Sequence, residues 1–252
     1  YLGLTQADRI MAVLPFYYVY GKTLLNTHFM VGGSVVINNR FAFPNSVIQD
    51  MLDKEVTGFA GVPSTFAILV NRSVFAKTPI PSLRYITQAG GAMAPALTRR
   101  VLEHIGNASL YIMYGATEAS ARLTYLPPQR LVNDKIGSIG IPIPGVEITI
   151  RDNEGKMLAP FTVGNICATG DNIMQGYWKD QDETDRVLKP WGLVTGDLGH
   201  MDEDGFIFLT GRKKEMLKIG GERVSPKEIE DAIMDSQMVH EVAVIGRADE
   251  FL

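Results

Sequence analysis

Three short segments of this 252-residue chain carry the side chains best suited to chemistry. Tyr114-Gly115-Ala116-Thr117-Glu118 offers a hydroxyl and a carboxylate on a glycine turn. Thr195-Gly196-Asp197-Leu198 offers a second carboxylate on another turn, and Gly211-Arg212-Lys213-Lys214 a cation on a third. Thr117 can donate to a phosphate oxygen, and Glu118 can hold Mg²⁺, a hard cation that takes oxygen ligands. The two oxygens of Asp197 can accept from adjacent 2′- and 3′-hydroxyls of a ribose. Arg212 adds positive charge. The set suits a nucleotide with its metal, although each segment alone also fits an ordinary polar or basic loop.

The rest of the composition narrows the field. Hydrophobic residues make up 46% and charged residues 21%, the balance of a soluble globular protein. A net charge of −4 gives no reason to expect nucleic acid or an anionic membrane as partner. The single cysteine, Cys167, excludes an internal disulfide and fits a reducing, cytoplasmic setting. No apolar run is long enough to span a bilayer. His104, His200 and His240 have no metal-binding spacing. Asp202-Glu203-Asp204-Gly205 fails as a calcium loop, because His200 and Gly211 stand where acids are needed. It reads instead as a hairpin turn.

The elements that must position these residues follow from periodicity. Up to residue 113, short apolar strands alternate with helical patterns. Strands are expected at Ile10–Leu14, Val35–Ile37 (of the buried type), Thr57–Gly61, Tyr85–Ala89 and Ser109–Met113. Between them, Leu24, Leu25, His28 and Phe29 have helical spacing, with His28 a core residue. Helices are also expected after Pro44, from Thr65 and after Pro95. Such alternation argues for an α/β fold, with a mainly parallel sheet flanked by helices. The aromatic run Phe16-Tyr17-Tyr18-Val19-Tyr20 reads as a buried cluster. Beyond residue 120, strands are expected near 145–150, 165–169 and 206–209, without a long helix before residue 225. Ser225-Pro226-Lys227-Glu228 then reads as a capping box that opens a helix. Val242–Ile245 is strand-like. The expected division is 1–120 (α/β), 121–213 (a β-rich subdomain) and 214–252 (the start of a small α+β domain).

In this order and with these neighbours, the three segments resemble the adenylate-forming superfamily of acyl-CoA synthetases, luciferases and peptide-synthetase adenylation domains. The superfamily pattern of aromatic, Gly, any residue, Thr, Glu is met at every position of Tyr114–Glu118. The resemblance covers nearly all of the chain. It implies that Gly91, Ala92 and Met93 form one wall of an adenine site, with Tyr114 and Gly115 as the other. Tyr18, Val62, Gly90 and Ala116 would border the acid substrate. Asp197 would bind ribose, and Arg212 the ribose or α-phosphate. Thr117 and Glu118 would act at the phosphate and metal. Lys214 would be the hinge to the small domain, and Lys218, in Lys218-Ile219-Gly220-Gly221-Glu222, would enter the site for thioester formation.

The implied activity is ATP-dependent ligation of an acid to a thiol, through an acyl-AMP. Its cofactors would be ATP/AMP, Mg²⁺ and coenzyme A. The aromatic and apolar residues near Tyr17, Tyr18 and Val62 suggest a fatty or aryl acid. A carrier protein as acceptor, and a nucleotide-binding module without catalysis, are the alternatives. The superfamily's glycine-rich phosphate loop and its terminal catalytic lysine are not found in these 252 residues. The chain is accordingly expected to be an internal part of a longer enzyme and inactive alone.

Overall fold

The computed structural model describes residues 1–219, 222–236, 238–239 and 242–247. Its first half alternates as the periodicity predicts. The order is β1 (Arg9–Ala12), α1 (Val19–Met30), β2 (Ser34–Ile37), α2 (Pro44–Asp53), β3 (Gly58–Gly61) and α3 (Pro63–Arg72). Then come β4 (Tyr85–Gln88), α4 (Pro95–Leu102) and β5 (Ser109–Tyr114). Proline stands in the first turn of α2, α3 and α4, where its missing N–H costs no helical hydrogen bond. β1 pairs in parallel with both β2 and β3, β3 with β4, and β4 with β5.

Alternate residues of these strands serve opposite faces. Met11, Phe59, Ile86 and Ile112 pack under α2, α3 and α4. Their sequence neighbours Ile10, Ala60, Tyr85 and Met113 pack with Tyr20 and Leu24 of α1. His28 is a core residue, as expected. It is 1% exposed, with Nε2 2.6 Å from the Tyr85 hydroxyl and Nδ1 2.8 Å from the Leu24 carbonyl.

The second half is antiparallel. It contains β6 (Thr124–Leu126), α5 (Pro128–Asn133), β7 (Ser138–Pro142), β8 (Val146–Arg151) and β9 (Gly164–Gly170). α6 (Gln181–Val187), β10 (Leu188–Lys189), β11 (Gly192–Met201) and β12 (Ile207–Arg212) follow. One twelve-stranded sheet runs through both halves in the order β2-β1-β3-β4-β5-β6-β7-β12-β11-β9-β8, with β10 on β11. β7 makes the corner. Ile141 and Pro142 pair with β6, while Ser138 and Gly140 pair with β12. At Gly140, with φ of +90°, a Cβ would lie 2.0 Å from the Tyr125 carbonyl oxygen, so only glycine fits the bend. Ile139, Ile148, Ile150, Ile166, Leu193 and Ile207 fill the core of this half. The 202–205 segment forms the turn between β11 and β12, as predicted. β13 (Leu217–Ile219) and β14 (Glu222–Val224) form a hairpin, and α7 (Pro226–Asp235) leans on β12 and α4.

Four local expectations are corrected. β2 is an edge strand with Ile37 56% exposed, because among the described residues only β1 flanks it. Tyr17 is 94% exposed, and Tyr20 is the buried member of the aromatic run. Ser225 does not cap α7: its hydroxyl donates to the Thr210 carbonyl and ties the helix start to β12. Val242–Ile245 forms no strand.

Candidate functional site

The carboxyl ends of β3, β4 and β5 lie side by side, and the loops that leave them share one edge. Ligands bind at that edge in open α/β sheets. The loop after β4 presents Gly90, Gly91 and Ala92 as exposed backbone. Gln88 Nε2 donates to the Gly91 carbonyl at 2.8 Å and fixes its path. Val62 and Tyr18 flank Gly90: a Cβ there would meet Val62 Cγ1 at 3.1 Å and the Tyr18 hydroxyl at 3.2 Å. Met93 turns away into the main core, 7% exposed.

β5 delivers Tyr114, then a 3₁₀ turn over Thr117–Ala119. Thr117 is exposed, and Ala116 and Glu118 are half-buried. The chain then passes through two left-handed residues that are not glycine, Ser120 (φ 49°) and Ala121 (φ 79°). Such backbone persists only where neighbours hold it. Here Asn172 Nδ2 donates to the Ala119 and Arg122 carbonyls, at 3.0 and 2.7 Å, and the Ser120 hydroxyl donates to the Asn172 carbonyl. The returning loop lies so close that a Cβ at Gly115 would be 2.1 Å from the Ala121 oxygen.

Asp197 lies within β11 rather than on a turn, directly opposite Arg212 of β12. It is 6% exposed. The Tyr114 hydroxyl donates to its Oδ2 at 2.6 Å and Arg212 Nε to its Oδ1 at 3.1 Å. Burial pushes the Asp197 carboxyl above its ordinary range, against the opposing pull of these two partners. Burial, reinforced by the Asp197 charge, holds the Tyr114 phenol far above its usual value, so it remains a donor. Each carboxylate oxygen has a further lone-pair site for a ligand hydroxyl.

Glu118 Oε1 accepts from the Tyr177 hydroxyl at 2.6 Å. These two residues, with Ala116, Leu193, Val194 and Thr195, line a small cleft of about 40 Å³. A larger hollow of about 140 Å³ lies under α1, against Thr23, His28, Tyr85 and Arg122. None of the sequence-predicted site residues lines it. Among the described residues, no three His, Cys, Asp or Glu side chains gather into a metal cage. A cation at Glu118 would rest on one carboxylate oxygen and on oxygens of its ligand. That donor set fits Mg²⁺, which binds through one or two carboxylates plus phosphates.

The structure thus joins Tyr114, Asp197 and Arg212 by direct hydrogen bonds, and sets Gly90, Val62 and Tyr18 together. Lys214 follows β12 in an exposed turn. Lys218 lies in β13, but its side chain, together with Gly220 and Gly221, is outside the described residues. Sequence reasoning missed Asn172 and Tyr177. The signal available for them was the glycine-bounded run Gly170-Asp171-Asn172 to Gly176-Tyr177-Trp178. Among the described residues no helix is long and apolar enough to cross a membrane.

Comparison with known proteins gives one answer. Residues 1–178 match the AMP-binding enzyme family. The chain is 32% identical over 247 residues to the indoleacetate–CoA ligase of Aromatoleum aromaticum, covering 98% of this chain and 48% of that protein. It is 30% identical over 252 residues to a long-chain-fatty-acid–CoA ligase of Bacillus subtilis, covering 97% and 43%. The o-succinylbenzoate CoA synthetase of Bacillus subtilis, solved with its acyl-adenylate intermediate, superimposes with a TM-score of 0.88 at 29% identity. That match covers 99% of this chain and 50% of the solved one. The chain spans about half the length of the relatives it matches.

Proposed function

Because the chain belongs to the AMP-binding enzyme family, we propose that the full-length protein containing it is an ATP-dependent acid–thiol ligase. A carboxylate attacks the α-phosphate of ATP and pyrophosphate leaves; the thiol of coenzyme A then attacks the acyl carbon of the acyl-AMP, forming the thioester and releasing AMP. The observation that carries this reading is the hydrogen-bonded line Tyr114–Asp197–Arg212 at the carboxyl edge of the parallel strands. It sets an aromatic ring, a diol acceptor and a cation in one row, as a nucleoside phosphate requires.

In this reading Asp197 takes the ribose hydroxyls and Arg212 the ribose or α-phosphate. Gly91, Ala92 and Met93 face one side of adenine, Met93 through its backbone, while Tyr114 and Gly115 face the other. Thr117 donates to the α-phosphate. Glu118 would hold Mg²⁺, which when bound neutralises charge on the phosphates. Tyr18, Val62, Gly90 and Ala116 border the acid. Lys214 is the pivot between the 1–120 and 121–213 parts and the 214–252 part, and its rotation would bring Lys218 to the thiol.

A fatty or aryl acid is favoured by the apolar and aromatic lining, and by relatives that are named ligases of indoleacetate and of long-chain fatty acids. A carrier protein is the alternative acceptor. The lone, buried Cys167 accords with a reducing compartment such as the cytoplasm. The 252 residues alone are expected to bind AMP weakly and to give no exchange. The test is ATP–pyrophosphate exchange by the full-length protein with a panel of fatty and aryl acids, followed by thioester formation with coenzyme A. Exchange that no acid stimulates would overturn the proposal.

A further inference from the structure

Glu118 is braced by a part of the chain that no sequence motif singled out. Besides the Tyr177 hydrogen bond to Oε1, the Met174 N–H donates to the Glu118 carbonyl at 2.7 Å. Tyr177 lies 59 residues further along, between β9 and α6. Its own place is well determined. Its N–H donates to Thr184 Oγ1 at 2.9 Å, and that hydroxyl donates to the Asp180 carbonyl at 2.7 Å. Asp180 in turn caps α6 by accepting from the Glu183 N–H at 3.0 Å. The phenol is therefore anchored to a helix start, and its hydroxyl points at one oxygen of a carboxylate whose terminal torsion is otherwise broad.

We infer that Tyr177 is a positioning residue: its hydroxyl holds Glu118 Oε1 and leaves Oε2 for the divalent cation. The inference rests on Glu118 being the metal-holding carboxylate, as proposed above. A partner that orients a ligand usually matters about 10- to 100-fold for metal affinity. Replacing Tyr177 by Phe keeps the ring and removes only the hydroxyl.

The test is Mn²⁺ binding by the full-length protein with ATP and no acid, followed by electron paramagnetic resonance, so that nothing turns over. Y177F, E118Q and the double variant are compared with wild type. Y177F is expected to weaken Mn²⁺ binding about tenfold, with the thermal midpoint and the KM for the acid close to wild type. E118Q should weaken it further, and Y177F should add nothing in the E118Q background. Unchanged Mn²⁺ affinity in Y177F, with E118Q weakened, would overturn the role of Tyr177 and leave that of Glu118. An equal loss from Y177F with and without Glu118 would show that Tyr177 acts elsewhere, and would also overturn it. No change in either single variant would remove Glu118 as the metal-holding residue, and the inference with it.

Discussion

Replacing Tyr114 by Phe separates the aromatic ring from the hydroxyl that donates to the Asp197 carboxylate. Tyr114 and Asp197 are 9% and 6% exposed, and their hydrogen bond is 2.6 Å long. A hydrogen bond to a charged group contributes about 1.5–3 kcal/mol, because losing it leaves a buried acceptor without a partner. The effect should depend on pH. Burial raises the folded Asp197 pKa above the ordinary 3.8, so ionised Asp197 costs the fold stability, and this cost grows as pH rises through that folded value. The Tyr114 hydroxyl reduces the cost by favouring the charged form. Without it the folded pKa moves higher and the cost increases. Y114F should therefore lose about 2 kcal/mol near pH 8. Near pH 3, below the ordinary 3.8 and so below the raised folded value, the carboxyl is protonated and only a neutral hydrogen bond is lost, so the deficit should shrink to about 1 kcal/mol or less. For a chain of this size the larger loss corresponds to a melting decrease of about 4–8 °C. Urea unfolding of wild type and Y114F at the two pH values measures it. A deficit of the same size at both would refute the argument, since it would place the loss in packing and not in the Asp197 charge.

Glu118→Gln should raise the Mg²⁺ concentration needed for half-maximal pyrophosphate exchange and lower turnover, with the acid's KM little changed; a metal titration of the exchange rate checks this. Lys214→Pro fixes φ and removes a donor at the proposed pivot. Thioester formation should fall much more than acyl-AMP formation, as separate assays of the two half-reactions would show. Asn172→Ala removes two hydrogen bonds that hold the left-handed Ser120–Ala121 backbone. Denaturant unfolding should register a loss of about 1–3 kcal/mol, and exchange activity should fall with it.

The parallel half was legible because its strands are short apolar runs separated by proline-led helices, and both signals are local. The antiparallel half was less so. Thr195-Gly196-Asp197-Leu198-Gly199 reads as a turn because of its two glycines, yet it belongs to a ten-residue strand. Pairing with β9 and β12 overrides the local preference, and the irregularity appears as register shifts around Leu198. The Ser-Pro-x-Glu signature at 225–228 correctly opened α7, but the hydroxyl found a better acceptor at Thr210, which no local pattern encodes. Val35–Ile37 has the composition of a buried strand, and only the sheet order reveals it as an edge. The motif residues Tyr114, Asp197 and Arg212 were singled out by type and order; their direct bonding was not foreseen. Tyr177 carries no periodicity and is recognisable only by what its hydroxyl touches.

The place of β12 also orders events in time. It lies between β7 and β11, and the Ser138 hydroxyl bonds the Ile207 carbonyl across a sequence separation of 69. During synthesis β7 leaves the ribosome long before the strand that will complete its outer side. The intervening segment must close as a loop before that pairing stabilises anything. Until it does, β7 and β11 are open edges able to pair with other chains. Asp197 and Arg212 sit on the two strands of this closing hairpin, so their meeting with Tyr114 waits for sheet closure. A nascent chain stopped before β12 carries the Tyr114–Glu118 loop but lacks the Arg212 partner of Asp197. The nucleotide recognition proposed for these residues would in this way be coupled to completion of the fold, and nucleotide added during refolding should report the arrival of β12 rather than the earlier assembly of the parallel strands.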